Sequence, residues 1–565
     1  MRLPVLSEVA KSRDYQIEFK GYNHNLFVGE NQFYDTKNLC ATNYPVMSPR
    51  AQRATVRTIA QPQGLLARGK LAWVDGGHFY YDGRQYGGTL TDGEKQMVGM
   101  GAYILVFPDG MRFNTSTRDV DMLAAEYSAA GTVTMTLCRQ DGSDYGNVTE
   151  SETAPASPKD GDYWIDTSGK PVLKLYSGGE WVNIATTYVR ISASGIGESF
   201  KSGDVVEISG AAEESINGAH ELQTVEADSV TVIGIIAGTV TQTSGLKLKR
   251  SVPEMDYVCE LNNRLWGCSS TKHEIYASKL GDATNWLSYG TGADDSWSAT
   301  IGSAGDFTAA CAFGGQVLFF KEEMVHKVMG TKPSNFQITD TPLRGVQKGS
   351  ERSVCLVNES LMYKSRESVV VYDGGTPMDV SDALGPGMFF EAAAGAVGDR
   401  YYISMKDEDG AWQMFVFDEA KGLWFREDNT HATHFAQMHG QLYYLDATGT
   451  MTAVRGLQEP GAEAEGPVEW YAETGDLTMN MPDNKYVSRI QIRAGVEKGS
   501  TLRVEAQYDS DGVWKTLFER GYSSKASFTM PIIPMRCDHF RLRISGKGRT
   551  CVYALSKEIE RGSEL

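Results

Sequence analysis

Pairs of short apolar segments recur along this sequence at a nearly constant spacing. Each pair is typical of a β-hairpin, because two runs of apolar and aromatic residues flank a turn. Equivalent points in five successive pairs are separated by 53, 43, 40 and 41 residues: Leu265, Leu318, Leu361, Tyr401 and Leu442. Because the four-stranded blades of a β-propeller repeat about every 40–50 residues, this spacing predicts an all-β protein with a β-propeller-like core.

Two similar pairs precede these five. They join 71–74 to 78–81 and 103–107 to 111–113. Five repeats with one or two earlier ones would give six or seven blades, within the roughly four to eight of known propellers. Unrelated hairpins from sandwich domains are the alternative explanation of the spacing. The predicted core therefore occupies residues 63–125 and 253–455.

Residues 126–252 interrupt the repeat with short alternating strand patterns and with Gly-rich or Asn-rich turns. This pattern predicts inserted small β-barrel modules that protrude from a loop position of the core. Tyr163, Trp164 and Trp181 in this insert are candidates for contact with a glycan. Large aromatic side chains in so small a module also suit a tiny apolar core, which is the more ordinary interpretation.

The first 62 residues show little periodicity and contain Xaa-Pro steps that favour extended backbone. Residues 1–60 hold eight Lys and Arg against five Asp and Glu, a local excess of positive charge. We therefore predict an N-terminal docking arm over 1–62 that lies on a neighbour or on the core. Its candidate contacts to acidic groups are Arg50, Arg53 and Arg57. An ordinary first strand with solvated arginines is the alternative.

The C-terminal part begins with a stretch rich in Gly, Pro, Ala and Glu, which predicts a linker over 456–466. In 467–565, apolar residues alternate with polar ones, as in Phe540-Arg-Leu-Arg-Ile544. This period of two indicates strands with one buried face and predicts a β-sandwich. Arg541 and Arg543 lie on the polar face and could bind an acidic partner, although a solvated sheet face is the more ordinary interpretation.

The charge of the chain and its motifs exclude several kinds of chemistry. The formal net charge is −18, which does not favour gripping nucleic acid by its phosphates. No P-loop, GxSxG, HExxH or GxGxxG pattern occurs, so we predict a non-enzymatic protein without cofactor or metal. The eight cysteines form no CxxC pair, and we expect reduced thiols. No apolar run is long enough for a signal peptide or a bilayer span, which predicts no stable membrane insertion.

Several segments outside the insert together resemble one kind of viral protein. They are GYNHNL at 21–26, NLC at 38–40, YPVMSPR at 44–50, GDATNW at 281–286, GDF at 305–307, LFFKE at 318–322 and RCDHFRLR at 536–543. This set resembles the tail nozzle or packaged-DNA stabilisation proteins of short-tailed phages, which form a hub of the tail tube. The resemblance covers about 20–120 and 255–558 and leaves the insert unexplained.

The resemblance implies a structural protein of the virion tail that is assembled in the cytoplasm of the bacterial host. It implies a homo-oligomer, usually a hexamer, that extends the portal and adaptor and contacts other tail proteins or tail fibres. Such a ring retains the genome and conducts double-stranded DNA during ejection without binding it specifically. An acidic channel wall would repel the passing phosphates, and the net charge agrees with this expectation.

Two other functions remain open on the sequence. One is a peripheral receptor-binding or fibre-attachment protein of the tail, because propellers and small sandwich modules serve well as ligand platforms. The other is a tail-associated glycan hydrolase. Acidic pairs such as Asp294-Asp295 would suit such an enzyme only at a spatial separation that the sequence does not show.

Overall fold

A computed structural model describes residues 11–456, 461–480, 484–533 and 535–561. These residues form β-strands joined by turns, with short 3-10 turns at Ala41–Asn43, Glu214–Ile216, Pro333–Asn335, Glu351–Ser353 and Asp382–Leu384. In the described parts of the chain, no helix has the length and apolar character needed to cross a bilayer. The chain divides into two compact units, Met1–Glu94 with Phe319–His326 and Asp340–Leu565, and Lys95–Leu318 with Lys327–Thr339.

The N-terminal segment contributes strands to other parts of the first unit. Its five strands are β1 (Lys11–Gln16), β2 (Phe33–Lys37), β3 (Leu39–Cys40), β4 (Ser48–Pro49) and β5 (Ala54–Thr58). Only β3 and β4 pair with each other. The other three pair with strands from the last quarter of the chain, as described below.

Two antiparallel four-stranded sheets follow, in the orders β6-β7-β8-β9 and β10-β11-β12-β13. The strands are β6 (Pro62–Arg68), β7 (Lys70–Asp75), β8 (His78–Tyr81), β9 (Arg84–Tyr86), β10 (Gln96–Met100), β11 (Tyr103–Phe107), β12 (Met111–Asn114) and β13 (Val120–Met122). Both predicted hairpins are confirmed, since β7 pairs with β8 and β11 with β12.

The insert forms two sheets, one nested within the other in sequence. Its strands are β14 (Ala125–Ser128), β15 (Val133–Cys138), β16 (Val148–Ser151), β17 (Tyr163–Asp166), β18 (Val172–Ser177), β19 (Glu180–Asn183), β20 (Tyr188–Ser192), β21 (Val205–Ser209), β22 (Gly218–Glu226), β23 (Ser229–Ile233), β24 (Val240–Gln242) and β25 (Lys247–Arg250). The larger sheet has the order β14-β25-β21-β22-β23-β20-β15-β24 and surrounds one apolar core. The smaller, β16-β17-β18-β19, is inserted between β15 and β20.

Five more sheets complete the repeat. Their strands are β26 (Tyr257–Leu261), β27 (Arg264–Ser269), β28 (Glu274–Ala277), β29 (Trp297–Thr300), β30 (Ala309–Phe313), β31 (Gln316–Phe320), β32 (Val325–Met329), β33 (Gln337–Thr341), β34 (Cys355–Val357), β35 (Ser360–Lys364), β36 (Val369–Tyr372), β37 (Met378–Asp379), β38 (Phe389–Val397), β39 (Arg400–Asp407), β40 (Trp412–Asp418), β41 (Leu423–Asp428), β42 (Ala432–Met438), β43 (Gln441–Asp446) and β44 (Thr450–Ala453). The five equivalent points of the repeat all lie in the second strand of a sheet, which confirms the predicted periodicity.

Within each compact unit, sheets of the repeat contact one another through their first strands, as blades of a propeller do. In the first unit, strand β38 contacts β34 and β42, and β42 contacts β6. In the second unit, β26 contacts β10 and β30. The last sheet of the repeat has only three strands of its own, and β5 from the N-terminal segment supplies its fourth. A short strand, β45 (Glu463–Ala464), then pairs with the other edge of β5.

The C-terminal part is a β-sandwich that includes strands from both ends of the chain. Its own strands are β46 (Glu469–Thr474), β47 (Lys485–Val496), β48 (Thr501–Tyr508), β49 (Lys515–Arg520), β50 (Ser523–Thr529), β51 (Arg536–Cys537), β52 (Phe540–Lys547) and β53 (Thr550–Arg561). One sheet has the order β1-β53-β47-β50, with β51 on β47, and the other has the order β2-β46-β52-β48-β49. The inner faces share one apolar core.

The structure therefore gives the N-terminal segment a place within its own chain. Strand β5 pairs with β44 in the last sheet of the core, while β1 and β2 pair with β53 and β46 of the C-terminal sandwich. The expected linker over 456–466 is partly strand, because β45 lies within it, and its residues 457–460 fall outside the described residues. All eight cysteines are free thiols.

Candidate assembly sites

Arg50 and Arg53, two of the predicted docking residues, lie in a buried ionic cluster. Arg50 is 9% exposed, Arg53 is 6% exposed and Glu427 is 2% exposed. One Glu427 oxygen accepts a hydrogen bond from Arg53 Nη2 and lies 3.7 Å from Arg50 Nε. Asp428 Oδ2 lies 2.6 Å from Arg53 Nη1. The two guanidinium groups therefore share a pair of adjacent carboxylates at the end of β41.

Glu465 completes this cluster from the segment between the last blade and the sandwich. Its carboxylate pairs with the guanidinium of Arg50, and its Oε1 accepts a hydrogen bond of 2.8 Å from the backbone N–H of Arg53. Arg50 Nε also donates to the side chain of Asn38 at 2.8 Å. The cluster thus joins three stretches of chain that are far apart in sequence. We call Arg50, Arg53, Glu427, Asp428 and Glu465 the arginine clasp.

Electrostatic interactions within the clasp favour the charged forms of Arg53 and Asp428. Burial alone would lower the pKa of Arg53, but Tyr444, Asp428 and Glu427 outweigh it and hold that pKa above its usual range. Burial alone would raise the pKa of Asp428, yet Arg53 and hydrogen bonds from Thr430 lower it. Removal of one member would leave a buried charge without compensation, which is costly. The clasp therefore acts as an internal fastening.

Arg57, the third predicted docking residue, lies apart from the clasp on β5. Its side chain is exposed, and its guanidinium carbon lies 4.6 Å from the centre of the Trp73 ring. This cation–π contact leaves the guanidinium donors accessible to solvent. Of the three predicted arginines, Arg57 is the one whose position suits contact with another molecule.

Arg541 and Arg543 lie on the outer face of the second sandwich sheet and are paired within the chain. Arg543 Nη2 donates to Glu473 at 2.7 Å, and its guanidinium stacks 4.1 Å from the Trp514 ring centre. Arg541 Nε donates to Asp476. Both Arg541 and Arg543 thus pair with a carboxylate of the same chain. Their contact with an acidic partner protein stays a prediction.

The aromatic residues of the insert come together in its smaller sheet. The Trp164 and Trp181 rings meet edge to face at 5.4 Å, and Trp164 is buried. Trp164 Nε1 donates to the carbonyl of Ser151, while the Tyr163 ring packs against Tyr145 at an interplanar angle of 55°. This geometry is that of a small aromatic core, with Trp181 half-buried at its edge. Glycan contact by these residues stays a prediction.

A second ion cluster, centred on a buried lysine with two partly exposed acids, holds the N-terminal segment and was not foreseen from the sequence. Lys557 on β53 has no exposed surface and lies 3.1 Å from Asp14 and 2.8 Å from Glu30. The sequence analysis also missed the carboxylates of the arginine clasp. The adjacent acids Glu427-Asp428 directly after an aromatic run were the available signal, but their arginine partners lie more than 370 positions earlier.

In the parts of the chain that the structure describes, no three His, Cys, Asp or Glu side chains come together in a group that could hold a metal ion. Asp295 accepts hydrogen bonds from Ser288 Oγ and from the Gly292 backbone, so it organises its own loop. His434 is buried, and the burial lowers its pKa to about 3. These groups therefore have structural roles in their own loops and strands.

Comparison with known proteins gives limited similarity. No protein-family model matches the chain, and no curated protein matches its sequence. The N-terminal domain of Nup159 is 7% identical at a TM-score of 0.30, covering 78% of this chain and 99% of that one. Hsv2 of Kluyvelomyces marxianus is 10% identical at a TM-score of 0.24, and the match covers 51% of this chain and 70% of that one.

An endosialidase of phage phi92 is also similar in part. It is 10% identical at a TM-score of 0.24, and the match covers 74% of this chain and 67% of that one. The assignment of an all-β fold with a propeller-like core rests on the strand pairing described above.

Proposed function

We propose that this chain is a non-enzymatic structural component of a phage tail, a nozzle or tube segment that retains the genome and conducts it during ejection. The observation that carries the proposal is the way in which the two ends of the chain are joined. Strand β1 pairs with β53 over six residue pairs, from Lys11 with Glu560 to Gln16 with Leu555. Strand β5 closes the last blade, and the arginine clasp fastens it there.

Such joining suits a part that must withstand mechanical load. Because β1 is an antiparallel strand in a sandwich sheet, pulling the N-terminal segment away requires several ladder hydrogen bonds to break together. Lys557 with Asp14 and Glu30 adds a buried ionic link at the same place. Such resistance to pulling would suit a tail segment that holds DNA under pressure.

Two of the segments that resemble nozzle proteins, 21–26 and 44–50, contribute to this joining. Gly21 has φ of +75°, and a Cβ there would lie 2.6 Å from the carbonyl oxygen of Trp424. Its neighbour Tyr22 donates its backbone N–H to that oxygen at 2.7 Å. The segment at 44–50 ends at Arg50 of the clasp. The N-terminal part of the resemblance thus involves residues that hold the N-terminal segment in place.

The net charge of −18 supports a conduit that does not retain its cargo. An acidic wall repels phosphates, so passing DNA would meet no strong binding site. We further propose a homo-oligomeric ring, six-fold as in the resembling proteins, that contacts the portal, the adaptor and other tail proteins. No part of the proposal requires a cofactor.

The test is antibody labelling of intact particles of the phage that encodes this chain, viewed by electron microscopy. The proposal predicts label at the tail, on the axis below the portal. Label confined to the capsid, or particles without the protein, would contradict it. Label on peripheral fibres together with binding of the purified chain to host cells would instead support a receptor-binding protein.

A further inference from the structure

We propose that the outer face of the first sandwich sheet docks onto an acidic surface of a second copy of this chain. We call this surface the basic face. It comprises Arg13 and Tyr15 on β1, Arg489, Gln491 and Arg493 on β47, and Lys525 on β50. The proposal deepens the ring-forming function above and rests on it.

Alternation along β47 places these side chains on one side of the sheet. Ile490 and Ile492 point into the core with no exposed surface, while Arg489 and Arg493 are exposed. At about 3.4 Å per residue, the two arginines stand about 14 Å apart along the strand. Arg13 on β1 reaches the same face, because its Nη2 donates to Gln491 Oε1 at 3.2 Å.

The arginines of the basic face contact hydroxyl and amide groups. Arg493 Nε donates to Ser527 Oγ at 3.1 Å, Arg489 Nη2 to Thr529 Oγ1 at 3.4 Å, and Arg13 Nε to Ser556 Oγ at 2.9 Å. Among the described residues, none of these three guanidinium groups forms an ion pair. On the opposite sheet, Arg541 and Arg543 both have carboxylate partners. On one outer face of the sandwich, Arg541 and Arg543 are thus paired with carboxylates. On the other, the arginines hydrogen-bond to uncharged groups and their positive charge is not compensated by an ion pair among the described residues.

The composition of the basic face favours a protein partner over nucleic acid. Glu558 stands in register between Arg13 and Arg489, so the positive charge is interrupted and does not follow a phosphate track. Tyr15 on the face is 55% exposed. Arginine and tyrosine are among the residues that are enriched in protein–protein interfaces.

Charge complementarity identifies the partner as a second copy. Two chains of net charge −18 repel at long range unless a basic surface of one meets an acidic surface of the other. The chain carries acidic surface in excess, and residues 126–252 alone contain 17 Asp and Glu against 9 Lys and Arg. A contact between two different surfaces is heterologous, and repetition of such a contact forms a ring where the rotation between neighbouring copies closes.

The test is sedimentation velocity of the full-length chain and of the double variant R489Q/R493Q. The matched control is R503Q, since Arg503 is an exposed arginine of the opposite sheet that already pairs with Glu519 at 3.3 Å. Self-association of the wild type and of R503Q should be equal, and the double variant should associate about tenfold more weakly or worse. The wild type should also dissociate between about 0.1 M and about 1 M salt. Equal unfolding curves for the wild type and the two variants would show that both variants fold.

Three outcomes would overturn this inference. They are self-association of R489Q/R493Q at the wild-type level, a wild type that stays monomeric at both salt concentrations, and duplex DNA binding by the wild type that the double variant alone loses while its self-association is unchanged. Each concerns the basic face. Failure of the tail location itself would appear in the particle labelling, so the two failures are distinguishable.

Discussion

The arginine clasp and the basic face use the same side chain in opposite ways. In the clasp, Arg50 and Arg53 are buried and surrounded by carboxylates. On the basic face, Arg489 and Arg493 are exposed and contact only hydroxyl groups among the described residues. Buried arginines fasten distant parts of one chain, because leaving their charge unpaired is costly. Exposed arginines add little to stability and remain available to a partner.

The largest expected effect follows from E427Q. Neutralising Glu427 would leave two buried guanidinium groups short of a negative charge, and the free energy of unfolding should fall by about 3–5 kcal/mol. Urea denaturation measures this change. The control is E519Q, which removes an exposed partner of Arg503 and should cost about 1 kcal/mol or less. If E427Q and E519Q lowered the free energy of unfolding equally, the distinction between buried and exposed arginine pairs would be wrong.

Acid should weaken the clasp through Asp428. The pKa of Asp428 is lowered in the folded protein, so its contribution is present above the unfolded pKa of 3.8 and is lost as the pH falls through the folded pKa. The D428N variant should be less stable than the wild type by about 1.5–3 kcal/mol at neutral pH. Denaturation at pH 7 and at about pH 3 should show this difference shrinking in acid. A difference independent of pH would refute the ionic account of the clasp.

A smaller effect is expected at Arg57. Truncation to Ala removes the cation–π contact with Trp73 and should cost about 0.5–1 kcal/mol, measured by thermal denaturation. R57K keeps the charge and should retain part of that stability. If truncation of Arg57 lowered the stability as much as E427Q does, Arg57 would contribute to the fold in the way that the buried arginines do, which would contradict this prediction.

The smallest effect on stability should come from the basic face itself. R489Q/R493Q should change the free energy of unfolding by less than about 0.5 kcal/mol, since both side chains are exposed and unpaired with carboxylates among the described residues. Urea denaturation beside R503Q provides the measurement. A loss of several kcal/mol would mean that these arginines stabilise the sandwich rather than serve a partner.

Local patterns in the sequence were sufficient to predict the blades. Runs such as 442–444 between turn residues define the second strand of a sheet without any distant partner. The same holds for the period of two that predicted the strands of the sandwich, as in Ile490 and Ile492.

Pairing between the two ends of the chain could not be predicted in this way. Strand β1 carries mostly polar residues, and its place is decided by β53, more than 500 residues away. Arg50 and Arg53 were recognised as candidates from local charge, but the acids that bury them are supplied by β41 and by Glu465. Non-local ion pairs have no periodic signature, so the sequence did not show that Arg50 and Arg53 pair with carboxylates of their own chain.

The most direct test of the structural function is electron microscopy of the purified, untagged full-length chain, classified for rotational symmetry. The account predicts closed rings with a central hole wide enough for duplex DNA and with acidic residues lining the hole. Rings with a basic channel wall, or closed globular assemblies without a hole, would contradict a conduit for the genome.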